Sequence, residues 1–374
     1  MKIIHVAPRF FPYVGGVENY IYYLSKELVR RGHSVSVVCA NEPRLEARQC
    51  IDGIRVKRLG YICKIANTNI TPTLLAVLLK EDFDIIHTHI PDPYGAIMSV
   101  FAAFIKNKPL VVTYHNDIVG SGVYRYIAGL FNRLFLRFVL GQAHTIIITH
   151  AQYAEYSPHL KRYSKKISVV PLGVEVNEFG ISVSRDYCDK VVLFLGLLDE
   201  FHRYKGLTHL IRSMNIVRGK VHNAKLYVGG EGMLKDEYQQ LVSSLNLDDS
   251  VKFIGFVPPE ELANFYSHGD VFVLPSTSRE QEGFGIVLLE AMAAGVAVVT
   301  TDIVGTARDI LENSSGMIVP AGDEAALADA IISILQNKEL AQLMGENGRK
   351  LVSRNYDWRI IAEKIIGIYT AARV

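Results

Sequence analysis

The densest polar chemistry in the 374-residue sequence lies in Arg279-Glu280-Gln281-Glu282-Gly283-Phe284-Gly285-Ile286-Val287-Leu288-Leu289-Glu290-Ala291-Met292-Ala293-Ala294-Gly295, which follows an apolar run at 271–274 and Pro275-Ser276. Gly283 and Gly285 open the backbone where a helix begins, and the free N–H groups and dipole of a helix N-terminus favour phosphate oxygens. Glu282 stays in the loop, while Glu290 falls more than a turn into the helix. Two carboxylates flanking an anion-binding helix end would repel a bare phosphate, so they read as acceptors for sugar hydroxyls. Upstream, Asp199-Glu200-Phe201-His202-Arg203-Tyr204-Lys205-Gly206 links the strand-like run ending Phe194-Leu195-Gly196 to the next helix and carries two cations to its ligand edge. A lysine ~4 Å from a phosphate contributes ~4 kcal/mol at an effective dielectric of about 20 and ~1 in water, so it clamps a diphosphate in a closed site and is solvated in an open loop.

Histidines and glycines supply further candidates. Thr113-Tyr114-His115-Asn116-Asp117 closes a strand at the carboxyl edge, where His115 can hydrogen-bond a sugar hydroxyl or a developing charge. His87 and His89 stand at i and i+2, on one side of their strand. A metal site there is the minor reading, because no Asp, Glu or Cys follows at ligand spacing. Asp82-Phe83-Asp84 imitates a D-x-D metal motif but precedes its strand, away from the edge where α/β sheets place ligands, and is set aside. Gly15-Gly16, between the first strand and first helix, suits either a tight turn or the approach of backbone N–H groups to a diphosphate, and lacks the G-x-G-x-x-G fingerprint.

These residues need a scaffold of alternating strands and helices. Short β-branched runs at 2–7, 34–39, 54–58, 84–88, 109–114, 144–149 and 167–170 alternate with amphipathic stretches, and a second series restarts near Lys190 with runs at 191–196, 224–228, 251–254, 270–274, 296–300 and 316–319. The expectation is an α/β fold of β-α-β units with parallel sheets. The first helix is expected from Val17 to Arg31, with Ile21, Leu24 and Leu28 on one face and Gly32 as its stop. An irregular polar segment after Pro171-Leu172-Gly173-Val174, ending near Asp189, reads as a linker beside a cleft. The expected domains are 1–180 and 181–356, with a final helix at 357–374 crossing back to the first.

Composition narrows the function. A chain of 374 residues that is 49% hydrophobic and 21% charged is a folded globular protein rather than a disordered one. Residues 1–180 hold 21 Lys and Arg against 13 Asp and Glu, leaving 19 against 25 in the remainder. A basic first half suits an anionic partner, a lipid surface or a phosphorylated acceptor, while a pI near 8.2 argues against nucleic acid. Residues 122–141 mix Tyr124, Tyr126, Phe131, Phe135 and Phe138 with arginines, and on one helix Arg125, Asn132, Arg133 and Arg137 would share a side. That helix is either an ordinary surface helix with its apolar side in the core or a contact with a lipid surface. Cys39, Cys50, Cys63 and Cys188 form no C-x-x-C pair, the chain opens directly into a strand-like run without a signal peptide, and no apolar stretch is long enough to span a membrane. The expectation is a reduced, cytoplasmic protein, peripheral at most at the inner face of the membrane.

Taken in order, these motifs resemble the retaining GT-B glycosyltransferases of the family 4 type, over the whole chain. Glu282-x7-Glu290 is similar to that family's E-x7-E element, and Glu290-Ala291-Met292-Ala293-Ala294-Gly295-Val296 to its continuation. Pro171-Leu172-Gly173-Val174, Tyr204-Lys205-Gly206, Gly229-Gly230-Glu231-Gly232 and Gly255-Phe256-Val257 are further landmarks. The resemblance implies two Rossmann-like domains facing a deep interdomain cleft, with the nucleotide-sugar donor held mainly by the second and a lipid-linked or glycan acceptor by the first. It implies that Lys205 clamps the diphosphate, Glu290 holds the ribose, and Glu282 with the Phe284-Gly285 backbone reads the sugar hydroxyls. His115 would sit beside the transferred sugar, Gly16 next to Gly15 would admit the β-phosphate, and Gly230, Phe256, Val257, Gly283, Ile286 and Val287 would complete the donor contacts.

One departure stands out. The family usually has Gly-Arg where this chain has Gly196-Leu197, so Arg203, two residues before Lys205, is the expected replacement. Members of this type resemble front-face transferases, in which the leaving phosphate helps deprotonate the acceptor on the same side, with no covalent nucleophile, metal or cofactor. A UDP-sugar is the first expectation for the donor and GDP-mannose the second. A nucleotide-sugar epimerase of the same fold and a non-catalytic GT-B subunit are the competing readings, and the retained Glu282, Glu290, Lys205 and His115 argue against the subunit.

Overall fold

Each strand expected from the apolar runs overlaps an observed one. The computed structural model describes residues 1–13, 15–65, 68–118, 124–180, 189–279 and 281–373. Its contacts divide the chain into one unit of Met1–Gly173 with Trp358–Val374 and a second of Val174–Asp357. The division falls ahead of the 180/181 boundary expected from the sequence; most of that linker, 181–188 with Cys188, lies outside the described residues, as does Glu280.

The first unit carries β1 (Lys2–Ala7), α1 (Gly16–Arg30), β2 (Ser34–Ala40), β3 (Arg48–Ile51), β4 (Ile54–Leu59), the hairpin β5 (Cys63–Ile65) and β6 (Thr68–Ile70), α2 (Leu74–Lys80), β7 (Ile85–Ile90), α3 (Pro93–Lys106), β8 (Leu110–Tyr114), α4 (Tyr124–Phe131), α5 (Arg137–Gln142), β9 (Thr145–Ile148), α6 (Gln152–Tyr156) and β10 (Ile167–Val169). Its sheet runs β10-β9-β8-β7-β1-β2-β4-β3, parallel except for β3 against β4. Strands covered on both faces are usually apolar without alternation; β7 is buried at every residue yet carries His87, Thr88 and His89. The missed strands β3, β5 and β6 have three or four residues each and mix polar with apolar residues, so no apolar run announces them.

The second unit carries β11 (Lys190–Leu195), α7 (Leu207–Lys220), β12 (Ala224–Gly229), α8 (Lys235–Ser244), β13 (Val251–Gly255), α9 (Leu262–Ser267), β14 (Val271–Leu274), α10 (Ile286–Ala293), β15 (Ala297–Thr301), α11 (Ala307–Glu312), β16 (Gly316–Val319), α12 (Glu324–Gln336) and α13 (Lys338–Asn355). Its all-parallel sheet runs β13-β12-β11-β14-β15-β16. The last helix, α14 (Trp358–Ala372), belongs to the first unit, where Trp358, Ile361, Ile365 and Tyr369 share a core with Ile21, Leu24 and Leu28 of α1. Each such side chain, once removed from water, contributes roughly 1.5–3 kcal/mol, which ties the C-terminal helix to α1.

Both sheets reverse their strand order once at the centre, between β1 and β7 in the first unit and between β11 and β14 in the second. Open α/β sheets bind ligands beyond the carboxyl ends of the strands at such a reversal.

Candidate functional site

In the second unit the lysine-bearing turn and the carboxylate loop meet at the β11/β14 reversal. After β11, Asp199 caps a short turn by accepting from the His202 N–H at 3.0 Å, and Gly206 ends it at φ +77°. A Cβ at Gly206 would stand 2.0 Å from the Pro275 carbonyl oxygen, so a side chain there is excluded. The Thr277 N–H donates to the Tyr204 carbonyl at 2.7 Å, stitching the turn to the loop that follows β14. Lys205 Nζ consequently lies 3.5 Å from Glu282 Oε2, with the two side chains 16% and 6% exposed. Ser276 Oγ donates to the same Oε2 at 2.8 Å, and Thr301 Oγ1 donates to the Ser276 carbonyl at 2.7 Å.

The loop then enters α10. Gly285 holds the N-cap position at φ +76°, where a Cβ would press to 2.8 Å on Val304. Gly283 precedes it, Phe284 is buried against Tyr356, and Ile286 and Val287 open the first turn, whose N–H groups have no carbonyl within the helix to receive them. One turn on, Glu290 accepts from the Tyr266 hydroxyl at 2.7 Å. Burial pushes the Glu290 carboxyl up to about 7; the Tyr266 hydrogen bond opposes that shift, the Glu178 carboxylate adds to it and Lys205 opposes it. At the same sheet edge, the Gly230 N–H donates to the Gly255 carbonyl at 2.7 Å, and Phe256, 58% exposed, and Val257 follow β13.

Arg203 goes elsewhere. Its guanidinium forks onto Glu200 at 2.6 and 2.9 Å and onto Glu237 at 2.6 and 2.7 Å, all exposed. Two carboxylates, one from the turn and one from α8, thus fill the fork of the arginine expected to stand in at Leu197, which is itself solvent-exposed.

In the first unit the β1/β7 reversal is lined by imidazoles. His5 of β1 pairs in register with His87 of β7, and the rings of His87 and His89 lie nearly parallel, 4.5 Å apart, on the side they were expected to share. His115, whose N–H donates to the Ile90 carbonyl at 3.0 Å, brings Nε2 to 3.3 Å from His89 Nδ1, and His89 Nε2 is 3.2 Å from His5 Nδ1. His87 bridges the Tyr369 hydroxyl of α14 at 2.6 Å and Thr113 Oγ1 at 2.7 Å. Burial lowers His5 to about 3 and His115 to about 4, and holds His87 and His89 well below the usual imidazole range. All four are therefore neutral at pH 7. His5, His87 and His89 offer nitrogens within 4.8 Å of one another, whereas zinc bonds of about 2.0–2.1 Å would draw them to roughly 3.4 Å, and both His87 nitrogens are already engaged. Asp82 and Asp84 sit at the opposite, amino edge, bound to the Lys2 side chain and the Lys2 N–H. Gly15 caps α1 in extended backbone and Gly16 is its first residue.

The aromatic-basic segment departs from a single amphipathic helix. Asn132–Leu136 wind as a π-helix between α4 and α5. Leu136, Val139 and Leu140 turn inward, while Tyr126, Leu130, Phe135 and Phe138 are exposed beside Arg133 and Arg137. Asn132 is held inward by donating to the Ile118 carbonyl at 2.9 Å, so it does not share the arginine side. The side chains of Tyr124 and Arg125 lie outside the described residues. Phe101, Phe104 and Ile105 of α3 extend the exposed apolar surface, with Phe101 and Phe138 rings 6.3 Å apart. Among the described residues no helix is long and apolar enough to cross a membrane.

Sequence reasoning missed His5, Tyr266 and Ser276. For His5 and Tyr266 the available signal was a polar group inside a strand or helix, Ser276 lies in the loop after β14, and nothing local tells which partner each meets.

Two family models match the chain: one described as Glycosyltransferase Family 4 over residues 14–178, and one described as Glycosyl transferases group 1 over 186–351. A phosphatidyl-myo-inositol mannosyltransferase of Mycobacterium leprae is 28% identical over 379 residues, covering 99% of this chain and 96% of that protein. O-antigen chain mannosyltransferase C of Escherichia coli is 28% identical over 380 residues, covering 99% and 98%. Among solved structures, sucrose-phosphate synthase from Thermosynechococcus elongatus superposes with a TM-score of 0.77 at 24% identity, covering 99% and 98% of the two chains. Anabaena HepE in complex with UDP and glucose superposes at 0.76 with 20% identity, covering 99% and 100%.

Proposed function

Since the chain belongs to the family 4 type of GT-B glycosyltransferases, we propose that it moves a hexose from a nucleoside diphosphate sugar to a hydroxyl of a lipid-linked or glycan acceptor, with retention at the anomeric carbon and without a metal. The observation that carries the reading is the array of Lys205, Glu282 and Ser276 at the mouth of α10, on the carboxyl edge of the sheet. Lys205 and the first-turn N–H groups of α10 stabilise the departing diphosphate, the largest electrostatic demand of the reaction. Ser276 and Lys205 engage Glu282 Oε2 and aim Oε1 at a sugar hydroxyl, while Glu290 receives the ribose hydroxyls. An oxygen of the leaving phosphate takes the acceptor proton on the face it vacates, so the new bond forms where the old one broke.

The two relatives are named as mannosyltransferases, which moves GDP-mannose ahead of the UDP-sugar expected from the sequence; the UDP complex of HepE keeps UDP second. The domain holding Lys205 binds the donor, and the basic first unit binds the acceptor. Its exposed Phe104, Tyr126, Phe135 and Phe138 beside Arg133 and Arg137 suit the surface of an anionic membrane, where a lipid-linked acceptor resides. Sedimentation with phosphatidylglycerol vesicles, lost on Phe104→Ser with Tyr126→Ser, tests that contact.

The primary test is thermal unfolding with GDP, UDP, ADP and CDP and their sugars in EDTA, because a ligand at 100 times its Kd adds about 2.7 kcal/mol. GDP-mannose is expected to raise the midpoint. A shift with UDP alone would return the donor to a UDP-sugar, and no shift with any nucleotide would overturn the reading.

A further inference from the structure

We propose that His5 and His89 fix the tautomer of His115, so that its outer nitrogen presents Nδ1–H and donates a hydrogen bond to an oxygen of the transferred sugar or its phosphate. The placement of His115 at the sugar rests on the proposed function, whereas its tautomer does not.

The three rings form one hydrogen-bonded chain, from His5 Nδ1 to His89 Nε2 at 3.2 Å and from His89 Nδ1 to His115 Nε2 at 3.3 Å. A neutral imidazole has one donor and one acceptor nitrogen, so protons along such a chain all point the same way. Burial keeps the rings neutral at pH 7. If His115 Nε2 donated inward, His89 Nδ1 would accept, His89 Nε2 would donate, and the His5 proton would be forced onto Nε2. His5 is fully buried, and its Nε2 has no hydrogen-bond partner among the described residues. An orphaned buried N–H is rarer than an under-used lone pair, because the donor loses its only bond.

The opposite direction leaves only a lone pair at that end. His5 Nδ1–H then donates to His89, His89 Nδ1–H donates to His115 Nε2, and the His115 proton stays on Nδ1, away from the chain. His87 does not compete, since its nitrogens face Tyr369 and Thr113. The backbone bond from His115 to Ile90 and the edge-on ring of Tyr20, 5.0 Å away, hold the ring in place. His5 and His89 are thus positioning residues, and His115 offers a donor rather than a base, which fits a reaction whose acceptor proton goes to the leaving phosphate.

The whole protein labelled with 15N-histidine reports each nitrogen's protonation directly at neutral pH, with His115 assigned by its loss in His115→Gln. The expected result is a protonated Nδ1 and a bare Nε2 on His115; a protonated Nε2 or a doubly protonated ring overturns the proposal. In kinetics, His89→Leu, which removes the donor, is expected to lower kcat about tenfold with KM within about twofold, and His89→Gln, whose amide can still donate, to regain most of it. Equal losses in both variants overturn the positioning role. The expected tautomer together with full turnover in His115→Gln would overturn the role at the sugar and leave the tautomer standing.

Discussion

The strand reversal between β1 and β7 is lined by neutral imidazoles, while the one between β11 and β14 is lined by a lysine facing a carboxylate. Both lie at the same place in the same kind of sheet, and both are buried. Burial in the first unit strips protons from basic groups and leaves short-range donors and acceptors that can read hydroxyls. In the second it raises Glu290, while Lys205 and Glu282 stand within 3.5 Å of each other, which sets a cation suited to a diphosphate beside an acceptor suited to a hydroxyl. One topology therefore presents two kinds of chemistry at its reversal, and the side chains at the strand ends decide which.

The sharpest way to break this contrast is Lys205→Ala. Loss of the cation is expected to lower turnover about 10²–10³-fold, and a smaller loss than in His115→Ala would show that charge does not dominate the second reversal. Acid comes next. The folded pKa of His5 and His115 is depressed, to about 3 and about 4, so the stability they contribute is present above 6.5 and lost as pH falls through those values. Glu290 has the opposite sign: raised from 4.5 to about 7, it contributes stability that is present below 4.5 and lost as pH rises through 7. Asp92, raised from 3.8 to about 6, offsets part of the loss in the first unit. Hydrogen exchange from neutral pH down to about pH 4 is expected to show the β1 and β7 amides losing protection while those of α10 gain it. Equal losses in both units would remove the contrast.

Gly206→Ala, forced to φ +77° against the Pro275 carbonyl, is expected to cost about 1–3 kcal/mol in denaturant unfolding and to loosen Lys205. On the proposed donor site, ribose hydroxyls favour ionised Glu290, so nucleotide affinity is expected to weaken roughly tenfold from about pH 8 to about pH 6, a slope that Glu290→Gln should flatten. The smallest effect belongs to Arg203→Ala, expected to change donor affinity less than about twofold because its partners are exposed surface carboxylates. A large loss there would make it a donor ligand after all.

Much of this is legible in the sequence. Short β-branched runs alternating with amphipathic stretches read as β-α-β units of a parallel sheet, and the glycines before Ile286 read as a helix start open to an anion. The aromatic-basic segment was less legible, because a helical wheel assumes one pitch and Asn132–Leu136 wind with another. The partners of Arg203 were not legible for a related reason: proximity to Lys205 in sequence says nothing of Glu237 on α8, which reaches it across the turn.

The sequence by itself determined the types of the apolar core elements and the order of the motifs, since strand and helix periodicity are properties of single segments. The meeting of His5, His89 and His115 came only with tertiary structure, as did that of Tyr266 with Glu290 and Tyr369 with His87. Those partners sit on different strands and helices, and register and packing, set by burying every apolar face at once, choose who faces whom.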